Sequence, residues 1–194
     1  LSLWLTLLAT WMLTRRFCAS PALALLAALP ALLFTFRWTN LLGGSPMGFA
    51  MMWVPLLFWG IDSALFQRQW RGALLAALAI ICMRWGDTHV FFFSVIALPA
   101  WCLFLLLVNR RQFGDLLRHG PAILLRLALP ILTAGILVIA GQIQKSTQLA
   151  DTTIGGGRAW REIALYSPRL SGLWSWPAQG VDAQIFLGYA LILF

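Results

Sequence analysis

The sequence VFFFSVIALPAWCLFLLLV, residues 90–108, decides the class of fold. It contains no charged side chain and is close to the length of roughly 20 residues that an α-helix needs to cross the hydrocarbon core of a bilayer. The whole chain has the same character, because 61% of its 194 residues are hydrophobic, only 10% are charged and its mean hydropathy is +0.83. Soluble domains carry about 25% charged residues, so this composition excludes a soluble globular protein.

Further apolar runs on both sides of this segment predict an all-α, polytopic integral membrane helix bundle of six to seven spans. The predicted spans cover residues 1–14, 19–38, 47–66, 72–84, 90–108 and 121–143. The long polar stretch 144–183 is predicted to be an extracytoplasmic loop that contains a short amphipathic helix, and residues 184–194 begin a further span. The first and last runs are short, which indicates a fragment of a longer polytopic protein.

The basic residues predict how the spans are oriented, because short loops rich in Lys and Arg remain in the cytoplasm. The loops after the first, third and fifth spans hold most of the arginines, whereas the connections on the other side hold Arg37 and Arg84. The arginines of the first group are Arg15, Arg16, Arg68, Arg71, Arg110, Arg111 and Arg118. The 38–48 loop, the 84–89 turn and the 144–183 segment are therefore expected outside the cytoplasm. The formal charge of +8 forms no continuous basic stripe, so it does not indicate nucleic-acid binding.

The turn RWGDTH, residues 84–89, is the densest group of chemically active side chains. It joins two spans almost directly, so Asp87 and His89 are expected at the outer mouth of the bundle, where ionisable groups near hydrocarbon are candidates for function. A carboxylate and an imidazole two residues apart can act as a general base or bind a divalent cation, which makes both residues catalytic and metal-binding candidates. The alternative is structural: Asp87 caps the fifth span, accepts backbone N–H groups near Val90 and pairs with Arg84.

Two further regions on the predicted outer face offer contacts for a phosphate or a sugar. In the glycine-rich turn 43–48, Ser45 can donate a hydrogen bond, although a helix that starts at Ser45 or Pro46 explains the same residues. In the long polar segment, guanidinium groups suit bidentate contact with phosphate, and attraction to anionic lipid headgroups is the alternative. The candidate substrate-binding residues are Ser45, Arg84, Arg158, Arg161, Tyr166 and Arg169.

Two charged residues are predicted to lie inside spans. Asp62 is near the cytoplasmic end of the third span and Arg126 is at the same depth in the sixth. We expect them to pair as a structural brace, because an unpaired charge at this depth is costly. The cysteines Cys18, Cys82 and Cys102 have no metal-ligand spacing and are expected to behave as small apolar residues.

The run WGDTH at residues 85–89 with the three phenylalanines that follow at 91–93, and the later LYSP at residues 165–168, resemble bacterial polytopic membrane proteins of the GT-C glycosyltransferase type. YfhO-like membrane proteins are a close variant of the same pattern. The resemblance implies an enzyme of the bacterial inner membrane that transfers a sugar from a polyprenyl-phosphate-linked donor on the outer face. It implies the lipid-linked donor and membrane lipids as partners, and a catalytic carboxylate in an external loop upstream of Leu1.

Functions of two other classes agree with the same composition. A transporter or lipid flippase needs polar groups at mid-membrane and broken helices that face one another, and the mid-span polar content of this chain is low. A non-enzymatic membrane assembly subunit needs only the hydrophobic bundle.

Overall fold

A computed structural model describes residues 1–33 and 35–149. Within these ranges the chain forms α-helices and short 3-10 turns and contains no β-strand, which confirms the all-α prediction for this part of the molecule. The predicted loop helix, the seventh span and four of the substrate-binding candidates lie outside the described residues. These four candidates are Arg158, Arg161, Tyr166 and Arg169.

The helices follow the apolar runs of the sequence. In chain order they are α1 (Ser2–Thr14), α2 (Pro21–Ala28), α3 (Pro30–Leu33), α4 (Thr35–Leu42), α5 (Pro46–Ala50), α6 (Val54–Leu65), α7 (Trp70–Gly86), α8 (Thr88–Val108), α9 (Phe113–Arg118) and α10 (Gly120–Leu149). The 3-10 turn Met51–Trp53 joins α5 to α6, and a second one, Arg110–Gln112, precedes α9. Only Leu29, whose backbone is helical, separates α2 from α3, and Pro30 follows it. Proline has no backbone N–H to donate and therefore interrupts the helical hydrogen bonds at this point.

Three stretches are long and apolar enough to cross a membrane: Pro46–Leu65, Thr88–Val108 and Gly120–Thr147. The helical stretches Ser2–Thr14 and Pro21–Leu33 are apolar but shorter, and α7 has 17 residues. The described residues therefore contain membrane-spanning helices by length and composition, while the count of six to seven spans stays a prediction.

The antiparallel helices α6 and α7 make the closest contact in the described bundle. A Cβ built on Gly60 would lie 2.7 Å from the carbonyl oxygen of Gly72, and one built on Gly72 would lie 2.7 Å from the carbonyl oxygen of Gly60. Ala64 and Ala76, four residues further along each helix, also line the contact and are fully buried. Helices in lipid gain little from hydrophobic burial against each other, so small residues that let backbones approach are a main source of their packing energy.

The other long helices pack around this pair. Leu57, Ile61, Ile80, Met83 and Phe91 form the buried centre, where α6, α7 and α8 meet. On the far side, α10 packs mainly on α7 and also touches α6, and α1 packs on α6. In the described residues α8 and α10 hardly approach each other, although both contact α6 and α7. The arrangement leaves a space between α8 and α10.

The predicted pairing of Asp62 with Arg126 is wrong. Asp62 is fully buried on α6, and its Oδ2 lies 2.6 Å from Nε of Arg16, which is in the turn after α1. Arg126 instead places its guanidinium carbon 5.9 Å from the ring centre of Trp70. The prediction matched two residues by their depth in the membrane, but α1 packs directly on α6 and brings the end of α1 to Asp62.

Candidate functional site

The turn between α7 and α8 consists of Asp87 alone, whose backbone is extended at φ −157° and ψ 126°. Oδ1 of Asp87 accepts the backbone N–H of His89 at 2.8 Å and that of Val90 at 3.0 Å. These bonds satisfy two of the N–H groups that the first turn of a helix leaves without intrahelical partners. The predicted cap on the fifth span is therefore confirmed. We refer to the end of the bundle that carries this turn as the hairpin end.

The pairing of Asp87 with Arg84, predicted with the cap, is wrong. Nη1 of Arg84 donates to Oγ1 of Thr88 at 3.2 Å, one helical turn further along the chain. Nδ1 of His89 lies 3.6 Å from Oδ1 of Asp87, and the His89 side chain is 72% exposed against 15% for Asp87. The structure thus brings Arg84, Asp87, Thr88 and His89 together, with the imidazole facing outward and the carboxylate held against the backbone.

Arg84 also reaches the neighbouring helix α10. A Cβ built on Gly141 would lie 3.3 Å from Nη2 and 3.8 Å from Nε of Arg84. The absence of a side chain at Gly141 therefore leaves room for the guanidinium group between the start of α8 and the far part of α10. Arg84 therefore presents a planar guanidinium group with several N–H donors at this place.

Ser45 acts as the N-cap of α5, with its Oγ accepting the backbone N–H of Met47 at 3.3 Å. This confirms the structural alternative, a helix that starts at this serine. A Cβ built on Gly86 would lie 3.0 Å from the Cβ of Ala50, so α5 approaches the end of α7. Ser45 therefore belongs to the hairpin end, but its hydroxyl is engaged with its own helix.

A divalent cation at the hairpin end would find two protein ligands, Asp87 and His89. In the part of the chain that the structure describes, no group of three or more His, Cys, Asp or Glu side chains comes close enough to hold a metal ion. Oδ1 of Asp87 is in addition occupied by two backbone N–H groups. The described residues alone thus supply an incomplete ligand set, since structural and catalytic metal sites use three or more protein ligands.

An apolar groove of about 510 Å³ fills the space between α8 and α10, with Ile61 of α6 among its lining residues. Its other lining residues include Val95, Leu98 and Pro99 of α8 and Pro130, Ala134 and Val138 of α10. The lining on α10 extends to Ile139, two residues before the glycine that faces Arg84. On α8 the lining begins at Val95, seven residues after the start of the helix at the hairpin end. Pro99 of α8 and Pro130 of α10 line the groove and lie inside their helices. An internal proline removes a helical hydrogen bond and bends the helix, so these two prolines are the sequence signal for the groove.

Arg37 is buried, contrary to the prediction from the sequence. It was expected in an outer connection, but its side chain is 1% exposed. Nη2 donates to the carbonyl oxygen of Ser2 at 3.1 Å and to its Oγ at 2.8 Å, and Nε donates to the carbonyl oxygen of Gly48 at 3.3 Å. Arg37 thus ties α4 to α1 and α5. The signal in the sequence is its place inside the apolar run 19–38.

Comparison of the chain with protein-family models, with curated proteins and with solved structures gave no match. The hairpin end and the apolar groove are therefore the features of the molecule that point to a function.

Proposed function

We propose that this chain is the donor-binding part of a bacterial inner-membrane glycosyltransferase of the GT-C type, with six to seven spans. In this proposal the hairpin end faces the outside of the cell, and the donor is a sugar linked to a polyprenyl phosphate. The observation that carries the proposal is an apolar groove between two long apolar helices, whose lining on α10 stops two residues before the glycine that faces Arg84.

The groove suits the hydrocarbon part of such a donor. Its volume of about 510 Å³ is within the range of roughly 300–1,000 Å³ that is usual for ligand pockets. The described lining is made of apolar side chains from helices that are long enough to cross a membrane, so a prenyl chain could enter sideways from the bilayer. At Gly135, one of the lining residues, a Cβ would meet no atom within 4 Å, so the groove is open at this position.

The hairpin end suits the polar part of the donor. Arg84 offers a guanidinium group, which forms strong charge-assisted hydrogen bonds with phosphate. Asp87 would repel a phosphate, but two backbone N–H groups stabilise its carboxylate on the side of the helix. His89 is largely exposed beside it and can contact the sugar or an acceptor hydroxyl. In this arrangement Asp87 and His89 position an acceptor, and Arg84 holds the phosphate.

The test is sugar transfer by the full-length protein in proteoliposomes, with a radiolabelled polyprenyl-phosphate sugar as donor. We expect Arg84→Gln to weaken donor binding about tenfold or more, since a hydrogen bond to a charged group contributes about 1.5–3 kcal/mol. Gly135→Leu should raise the KM for the donor by filling the groove, and His89→Ala should lower kcat. Arg110→Gln, which removes the same charge from an exposed residue of another connection, is the matched control for Arg84.

Two results would contradict this proposal. One is unchanged transfer in both the Arg84 and Gly135 variants when membrane insertion is also unchanged. The other is movement of the intact lipid-linked sugar from one leaflet to the other without transfer, which would favour the flippase alternative.

A further inference from the structure

Arg126 lies at the end of the bundle opposite the hairpin end, where both α7 and α10 begin. It is six residues into α10, and its guanidinium carbon sits 5.9 Å from the ring centre of Trp70, the first residue of α7. Arg126 is partly buried, while Trp70 is 48% exposed. A cation above a tryptophan ring is stabilised by the negative face of the ring.

The charge of Arg126 is only partly compensated within the described residues. The carboxylate at a comparable depth, Asp62, is bonded to Arg16. Nε and Nη1 of Arg126 are shielded from solvent and have no hydrogen-bond partner in the described part of the chain. N–H groups withdrawn from water without an acceptor are costly, and more so on a charged group. A nearby anion would offset this cost, and it can approach Arg126 at the part of the guanidinium that stays accessible.

The surroundings indicate which anion this is. The chain has 14 lysines and arginines against 6 acidic residues, so most of its cations find their counter-charge outside the chain. A half-exposed tryptophan at a helix start is typical of the headgroup level of a bilayer. Leu74, one turn beyond Trp70, and Leu125, next to Arg126, are 58% and 62% exposed. An aromatic ring and a cation beside exposed leucines match a lipid with an anionic headgroup and acyl chains.

We propose that Arg126 and Trp70 form a binding site for the phosphate group of an anionic phospholipid, at the opposite end of the bundle from the hairpin. The guanidinium group binds the phosphate, the indole ring holds the guanidinium in place, and the exposed leucines contact the acyl chains. This site is independent of the proposed sugar transfer, which concerns the other end of the molecule.

The experiment uses the full chain, purified in detergent and stripped of lipid. Bound lipid is measured by native mass spectrometry, and the melting temperature is measured in the presence of each of three additives. These are phosphatidylglycerol, phosphatidylcholine and inorganic phosphate. We expect phosphatidylglycerol to bind and to raise the melting temperature more than phosphatidylcholine does, whose choline group neutralises the phosphate. Arg126→Gln should weaken phosphatidylglycerol binding about tenfold or more, as expected for the loss of charge-assisted hydrogen bonds.

Further variants separate charge from geometry. Arg126→Lys should bind phosphatidylglycerol with intermediate affinity, because it keeps the charge but loses the planar group that stacks on Trp70. Trp70→Leu should weaken binding less than Arg126→Gln. Arg110→Gln removes an exposed arginine elsewhere and should bind like the wild type.

The proposal is overturned if Arg126→Gln and the wild type bind phosphatidylglycerol equally. Inorganic phosphate that alone reproduces the stabilisation would also overturn it, because the ligand would then be a free phosphate. If Arg126→Gln does not fold, the melting temperature of the wild-type protein still tests the proposal. Equal stabilisation of the wild type by phosphatidylglycerol and phosphatidylcholine would contradict it.

Discussion

Replacing Gly72 by alanine would place a methyl group where the backbone of α6 already lies. The new Cβ would be 2.7 Å from the carbonyl oxygen of Gly60, 2.7 Å from the Cβ of Ser63 and 2.8 Å from the backbone nitrogen of Ala64. Two of these three atoms belong to the main chain, so no side-chain rotation can relieve the contact. The helices α6 and α7 would have to move apart, which disturbs the closest contact in the described bundle.

The magnitude follows from two opposing terms. Overpacking a well-filled interior costs about 1–3 kcal/mol, and the upper part of this range applies because backbone atoms must shift. Alanine also stabilises a helix by up to about 1 kcal/mol relative to glycine, because its helix propensity is higher, and this offsets part of the overpacking cost. We therefore expect Gly72→Ala to lower the free energy of unfolding by about 2 kcal/mol.

The assay is reversible unfolding in mixed micelles, followed by circular dichroism of the purified chain. Gly135→Ala is the matched control, because it makes the same change within α10, where a Cβ would meet no atom within 4 Å. The control should unfold like the wild type or be slightly more stable. If Gly72→Ala were as stable as the control, the close approach of α6 and α7 would be refuted.

Two further predictions concern charged residues. Arg16→Gln should destabilise the chain more than Asp62→Asn, because it leaves a fully buried carboxylate without its cation, at a cost of about 3 kcal/mol or more. In Asp62→Asn the arginine is the residue left unpaired, and water can hydrate it because its side chain is one-third exposed. Equal melting temperatures for the two variants would contradict this prediction. Asp87→Ala should lower the free energy of unfolding by about 1 kcal/mol, because it removes the cap on α8. Asp87→Asn should lower the free energy of unfolding by less, since asparagine also caps helices. A chemical-unfolding series that ranks the two variants the other way would count against the cap.

The sequence predicts the helices and their local ends well, because those depend on neighbouring residues. The apolar run 90–108 is sufficient to predict α8, and Asp87 predicts where it begins, since an acidic residue before an apolar run caps the first turn. The start of α5 at Ser45 and Pro46 follows from the same kind of signal. In each case the interacting groups are within three residues of one another.

The contacts between distant residues could not be predicted in this way. Asp62 and Arg16 are 46 residues apart, and their pairing depends on α1 packing against α6. The burial of Arg37 depends on Ser2 and Gly48 meeting at one point, and no pattern in the 19–38 run indicates these acceptors. The groove between α8 and α10 is likewise a property of how two helices are spaced.

The fact that α8 and α10 each rest on the α6–α7 pair, and hardly on each other, bears on how the protein is made. As the ribosome delivers the chain to the membrane, α6 and α7 can associate once residue 86 has emerged, because their contact joins neighbouring segments. Helices α8 and α10, which are synthesised later, can then pack one after the other on the surface of the α6–α7 pair. Synthesis from the amino end thus matches this order of assembly. A mutation that prevents α8 from packing would leave the α6–α7 surface that binds α10 largely intact.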